Sequence, residues 1–198
     1  MSAREEGDPR RTREEPQPEG TGRFGLYVFL GSLTMLFGAS ILSYLLIRAN
    51  AATWPPPNAP ALPWAGLLFS TVVILAASAT IQWALGSIRA GNAAGLRTGL
   101  AATCVLSLVF LVSQYLNWVR VLPGARAAPN LHSFIFYVLT GLHALHVLGG
   151  LVVLGVVTSR AWRGAYTARL HAGVSYATLY WHYLDVVWIV MFLVLFVF

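Results

Sequence analysis

Four side chains in the last third of this chain could do chemistry. They are His143 and His146 in "LTGLHALHVLGG", and His182 and Asp185 in "YWHYLDVVWIV". Each pair is spaced by three residues, which puts both members on one helical face. Three histidines and a carboxylate could lock two helices by hydrogen bonds, handle a proton, or hold a metal ion. A nucleophilic or hydrolytic site has the least behind it. No nucleophile is paired with a base, there is no His-Glu-x-x-His pattern, and no second carboxylate is available for acid–base work.

The segments that carry these residues are apolar enough to span a bilayer. The chain is 57% hydrophobic and 10% charged, where soluble domains carry about a quarter charged residues. Five apolar runs stand out, at roughly 24–48, 62–86, 96–119, 133–158 and 174–198. Each is long enough for a tilted transmembrane helix. Backbone groups in lipid must pair internally, and the strict alternation of barrel strands is absent, so helices are expected. The fold class is therefore an all-α membrane protein, a bundle of five transmembrane helices.

Residues 1–22 are polar, of mixed charge and rich in Pro and Gly. They are expected to form a disordered tail ahead of a transmembrane domain at 23–198. No cleavable signal peptide is expected, since about twenty charged and polar residues precede the first apolar run. The Pro-rich stretch "NAATWPPPNAPALP" and the segment "RVLPGARAAPN" read as loops on one side, and "RAGNAAGLR" and "SRAWRGAYTARLHAG" as loops on the other.

Charge placement sets an orientation. Arg4, Arg10, Arg11, Arg13, Arg23, Arg89, Arg97, Arg160, Arg163 and Arg169 fall on one side, and Arg48, Arg120 and Arg126 on the other. The richer side is expected to be cytoplasmic, with the N-terminus there and the C-terminus outside. Arginines that flank membrane spans account for the net charge of +6, and no basic–aromatic surface points to nucleic acid. The lone Cys104 lies in an apolar run, offers no intrachain disulfide and reads as a packing residue.

Each run carries one polar or small stripe. These are Gly31, Thr34 and Gly38; Thr71, Ser78 and Gln82; Thr103, Ser107, Gln114 and Asn117; Thr140, His143, His146 and Gly150; and Ser175, Thr178, His182 and Asp185. For the first three runs, helix packing explains the stripe. The four titratable residues of the last two runs share a bilayer depth, and adjacent antiparallel helices could bring them together. An unpaired carboxylate at that depth costs about 2.5–3.5 kcal/mol. Asp185 is therefore expected to be an anchor, hydrogen-bonded to His182 or to His143 or His146, with a proton-handling role as the alternative.

The same residues carry a resemblance. "TGLHALHV" and "YWHYLDVVW" resemble the two signature helices of the cytochrome c oxidase subunit III family, which read Thr-Gly-x-His-x-x-His-Val and Tyr-Trp-His-Phe-x-Asp-x-x-Trp. The positions are Thr140, Gly141, His143, His146 and Val147, then Tyr180, Trp181, His182, Asp185 and Trp188, with Tyr183 at the family phenylalanine. "GRFGLYVFLGSLTMLFGASILSYLLIR" is similar to the family helix opening with Arg-x-Gly. "QYLNW" is similar to its Gln-x-x-Glu-Trp segment, at Gln114 and Trp118. Two family carboxylates are missing: Leu33 stands at the first-helix glutamate and Asn117 at the second.

The resemblance implies an accessory, non-redox subunit III of a bacterial haem-copper terminal oxidase, in the shorter five-helix form. It implies assembly beside subunits I and II, which hold the haem and copper, and contact with membrane lipids. It places the chain in the bacterial cytoplasmic membrane, supporting proton-coupled oxygen reduction in aerobic respiration with cytochrome c or quinol as donor. No cofactor or metal is expected on this chain, and no catalytic residue. Two other functions are compatible with the residues. One is the related protein associated with nitric oxide reductase. The other is a stand-alone proton or cation transporter, against which stand the absence of an internal repeat and of a broken helix pair.

Overall fold

The computed structural model describes residues 19–57 and 59–196. Its five helices are α1 (Glu19–Ala49), α2 (Trp64–Arg89), α3 (Ala93–Ala127), α4 (Leu131–Trp162) and α5 (Ala172–Phe196). All five are long and apolar enough to cross a membrane, and the described residues contain no strand.

Several boundaries differ from the sequence expectation, since α3 begins at Ala93 and α4 ends at Trp162, both inside segments expected as loops. Residues 1–18 of the expected tail lie outside the described residues, but 19–22 already belong to α1. Once a helix is nucleated, each further residue adds a backbone bond at little cost, so the helix runs back past Arg23. At the other end, α3 continues through Pro123 to Ala127, where a loop was expected from Arg120. Pro123 sits near the helix end, and the backbone resumes with the Ala128 N–H donating to the Gly124 carbonyl at 3.0 Å. The Pro-rich connection packs here: a Cβ at Gly124 would lie 2.7 Å from Pro60 Cβ.

The short α2–α3 turn follows from its residues. Gly91 takes a left-handed φ of 78° after α2, and Asn92 caps α3 by accepting the Gly95 N–H at 2.9 Å. Asn130 caps α4 in the same way, accepting the Ser133 N–H at 2.8 Å.

α2 and α3 share the most extensive contact. α3 then packs on α4, α4 on α5, and α5 back on α2, so these four helices close a ring. Two glycines of α3 spaced by four explain the α2–α3 seam. A Cβ at Gly99 would lie 2.7 Å from Ala84 Cβ, and one at Gly95 would lie 2.6 Å from Ser87 Oγ. Small residues at this spacing let two backbones close in, which is how helices associate where lipid is as apolar as the side chains.

α1 lies outside the ring, and among the described residues its helix–helix contacts are with α4 and α5. It makes them through the buried face Leu30, Leu33, Phe37 and Tyr44. Gly31 and Gly38, read as packing residues, meet nothing within 4 Å of an added Cβ. The face that packs α1 is mainly apolar and its glycines look outward, while Thr34 of the expected stripe reaches α5 by donating to Tyr183 OH at 3.3 Å.

Candidate functional site

α5 makes polar contacts with α1, α2 and α4. His182 lies on its α2 side. Its Nδ1 is 2.7 Å from Ser78 Oγ and its Nε2 is 3.1 Å from Gln82 Oε1. A glutamine carbonyl can only accept, so Nε2–H donates to it. In neutral His182 the other nitrogen then accepts the Ser78 hydroxyl proton. One turn further on, Asp185 is buried at 4% exposure, with Oδ2 3.7 Å from His182 Nδ1. That is an ion-pair distance and too long for a hydrogen bond.

Asp185 is therefore not the hydrogen-bonded anchor expected from the sequence. Neither carboxylate oxygen has a hydrogen-bond partner among the described residues. His182 is occupied by α2, and the α4 histidines face elsewhere. The signal for this was present in Ser78 and Gln82. With Thr71 they form a stripe at spacings of seven and four, and all three side chains bond to α5: Trp188 Nε1 donates to Thr71 Oγ1 at 2.9 Å.

His143 occupies an aromatic box. Its ring centroid is 5.0 Å from that of Trp188, 5.8 Å from Phe110 and 6.3 Å from Phe37. It is fully buried, and neither ring nitrogen has a partner among the described residues. His146 lies half-buried, its Nδ1 2.7 Å from the Leu142 carbonyl and its ring 5.2 Å from Phe37. The four titratable side chains thus fall into two sets, His182 with Asp185 on the α2 side, and His143 with His146 against α1 and the aromatic core. Among the described residues no three His, Cys, Asp or Glu side chains are grouped to hold a metal ion.

The remaining motif residues clasp neighbouring helices. Trp118 Nε1 donates to Thr140 Oγ1 at 2.9 Å, and Tyr137 OH donates back to the Trp118 carbonyl at 2.8 Å, tying α3 to α4. Tyr180 OH donates to the His146 carbonyl at 3.0 Å. Beside it the α4–α5 seam closes on Gly150, where a Cβ would lie 2.7 Å from Tyr180 Cε1 and 2.9 Å from Trp181 Cζ3. Trp181 and Gln114 are buried, and neither the Trp181 Nε1 nor the Gln114 amide has a partner among the described residues. Gly141 has nothing within 4 Å of an added Cβ, and no contact in the structure explains it.

Leu33 is buried at 6% in the core that α1 forms with its neighbours. An acid at this position would point into protein, so a leucine removes a buried charge and its desolvation cost. Asn117 is buried too, and its Nδ2 donates to Ser70 Oγ at 3.3 Å, which in turn lies 2.8 Å from Ser113 Oγ. A neutral amide here is held by hydroxyls and needs no counter-charge.

Fold and site together define a polytopic membrane protein. It is a four-helix ring with a fifth helix docked outside, cross-linked by Trp, Tyr and Thr bonds, with His143 buried in its core and His146 and His182 partly exposed. Its particular kind follows from comparison. The model of the family described as cytochrome c oxidase subunit III matches residues 18–198. The chain is 34% identical over 174 residues to the cytochrome c oxidase subunit 3 of Thermostichus vulcanus, covering 87% of this chain and 85% of that protein. It is 33% identical to the subunit 3 of a Synechocystis strain, covering 87% and 74%. To a probable cytochrome c oxidase subunit 3 of Mycobacterium leprae it is 30% identical, covering 87% and 85%. The chain belongs to the cytochrome c oxidase subunit III family.

Proposed function

We propose that this chain is the accessory, non-redox subunit of a bacterial haem-copper oxidase. It packs beside subunits I and II in the cytoplasmic membrane, with its N-terminus on the cytoplasmic side. Haem and copper are held by those partners, and this chain supports assembly, lipid binding and sustained proton-coupled turnover. The observation that carries the reading is the family match together with what its signature residues do. Trp118, Thr140, Tyr180 and Trp188 spend their polar atoms on neighbouring helices. Such residues rigidify a scaffold, and a scaffold is what an accessory subunit supplies. The relatives' names favour an oxidase over nitric oxide reductase or a lone transporter.

In this reading His182 is the structural residue, fastening α5 to α2, and Asp185 forms an ion pair or a neutral pair with it. Leu33, standing where the family helix has a glutamate, offers no ionisable group to a proton.

Purification in mild detergent tests the proposal. Haem and two larger chains should co-purify with this one, with a haem spectrum and oxygen consumption in the same fraction. A haem-free, solitary protein that moves protons across liposomes would overturn it.

A further inference from the structure

α1, α4 and α5 bound a groove of about 520 Å³. Its walls are mainly apolar, and Phe29 of α1 and Val153 of α4 stand exposed on it, so it opens toward lipid. Its one charged group is Arg160, in the last turn of α4. His146 lies near the other end, about 21 Å from Arg160 along the helix axis.

The His146 ring has one nitrogen committed and one free. Nδ1 is 2.7 Å from the Leu142 carbonyl. A carbonyl only accepts, so Nδ1 carries the proton, and in the neutral ring Nε2 is left as an acceptor. Nε2 has no hydrogen-bond partner among the described residues and is not sealed off by protein. It therefore offers a lone pair inside an apolar groove, where an unmet polar atom is costly.

Depth narrows what can meet it. His146 sits midway along α4, between Leu131 and Trp162. That is roughly 22–24 Å from either helix end, in the middle of the hydrocarbon. Ionised headgroups stay at the surface, because charge is expensive at this depth. A phospholipid held at Arg160 would bring only its acyl chain to His146, and an acyl chain gives Nε2 nothing. The fitting ligand has a small neutral head with a hydroxyl, on an apolar tail.

The surroundings suit a flat head. Phe29 and Tyr180 line the groove with their rings stacked, 6.1 Å apart and inclined by 26°. Tyr180 is beside His146, its hydroxyl spent on the His146 carbonyl at 3.0 Å. Gly149, one turn from His146, also lines the groove, and a Cβ there would meet nothing within 4 Å. An aromatic ring can thus lie against the helix backbone.

We propose that this groove binds a membrane hydroquinone, one ring hydroxyl donating to His146 Nε2 and the tail lying along the groove. The chain holds the molecule, and no electron transfer is assigned to it. A hydroquinone stripped of its hydroxyl protons has only acceptors to set against an acceptor, so the site discriminates by that proton.

The test is photolabelling of the purified complex, reduced with dithionite and kept anaerobic so that the ligand stays reduced. The probe is an alkyl-hydroquinone carrying a diazirine beside its ring. Labelling is read on this chain's own peptides by mass spectrometry, so it holds whichever chains co-purify. Wild type should be labelled in the peptide containing His146. Unlabelled hydroquinone should suppress the label at about one-fifth the concentration needed of its dimethyl ether, the worth of one hydrogen bond. In His146→Leu the two competitors should become equal. Gly149→Leu, which fills the groove and keeps the histidine, should lose the label. Gly155→Leu is the control on the same helix, since Gly155 lies outside the groove with nothing within 4 Å of an added Cβ, and should behave as wild type. No label in wild type, or equal competition by hydroquinone and ether there, overturns the site. So does phosphatidylglycerol that competes as well as hydroquinone, because the groove then holds acyl chains only. Should His146→Leu fail to fold, Gly149→Leu and the wild-type competition decide the matter.

Discussion

Ser78 on α2 and His182 on α5 meet at 2.7 Å, and this contact ties a helix of the tight α2–α3 pair to the signature helix. His182 is bonded on both ring nitrogens to the same neighbour, with Gln82 one turn away at 3.1 Å. Two bonds from one ring to residues four apart fix the rotation and the height of α5 against α2.

A double-mutant cycle measures this clasp. Interhelical hydrogen bonds in membranes are worth about 0.6 kcal/mol, and up to about 1.7 in good cases. Ser78→Ala and His182→Ala should each lower the unfolding midpoint in detergent. Together they should cost less than the sum of the two by roughly that amount. A coupling energy indistinguishable from zero would show that the two side chains do not support one another.

Gly150 and Gly149 are neighbours with opposite surroundings. A Cβ at Gly150 would press on Tyr180 and Trp181 at 2.7 and 2.9 Å, while one at Gly149 meets nothing within 4 Å. Gly150→Ala should therefore destabilise by about 1–3 kcal/mol through overpacking. Gly149→Ala should be close to neutral. Parallel melts of the two variants read this directly, and equal tolerance of both would sink the close α4–α5 approach.

Orientation is open to labelling. With arginines ten to three between the two expected sides, a cysteine placed at Pro56 should react with an impermeant maleimide in intact cells. One placed at Arg163 should be spared until the cells are opened. The native Cys104, replaced by Ala, removes the background. The reverse pattern would invert the molecule.

Much of this was legible in the sequence, and what was not has a physical cause. Runs of apolar residues long enough to span lipid mark all five helices, because a single segment in lipid satisfies its own backbone only as a helix. The end of α3 is not legible in the sequence, because Pro123 signals a break in an isolated helix. Here the helix carries on and packs Gly124 against Pro60. The Gly95 and Gly99 pair that seats α3 on α2 shows in the sequence only as a spacing of four, which names no partner helix. Within the site, depth and helical face were readable for His143, His146, His182 and Asp185, but depth does not say which neighbour a face meets. The three-point stripe Thr71, Ser78 and Gln82 marks the face of α2 that meets α5, where all three side chains bond.

Asp185 gives the sharpest test, because the structure changes what its removal should do. A carboxylate that held His182 by a hydrogen bond would leave a buried histidine stranded when replaced by leucine. In fact His182 is held by Ser78 and Gln82, and the Asp185 oxygens have no hydrogen-bond partner among the described residues. Deleting a buried polar group that lacks a partner is nearly neutral or stabilising, because its desolvation was never offset. Asp185→Leu should accordingly remain in the complex with stability near wild type, and Asp185→Asn should do the same. Subunit recovery and melting of the purified complex measure this. Detachment of the Leu variant alone would mean that the 3.7 Å contact to His182 holds the helix in place. Turnover separates the structural role from the proton-linked one. Both variants should consume oxygen at the wild-type rate and over as many turnovers. If both assemble fully and both inactivate early, the ionisable group itself is needed, and Asp185 handles a proton.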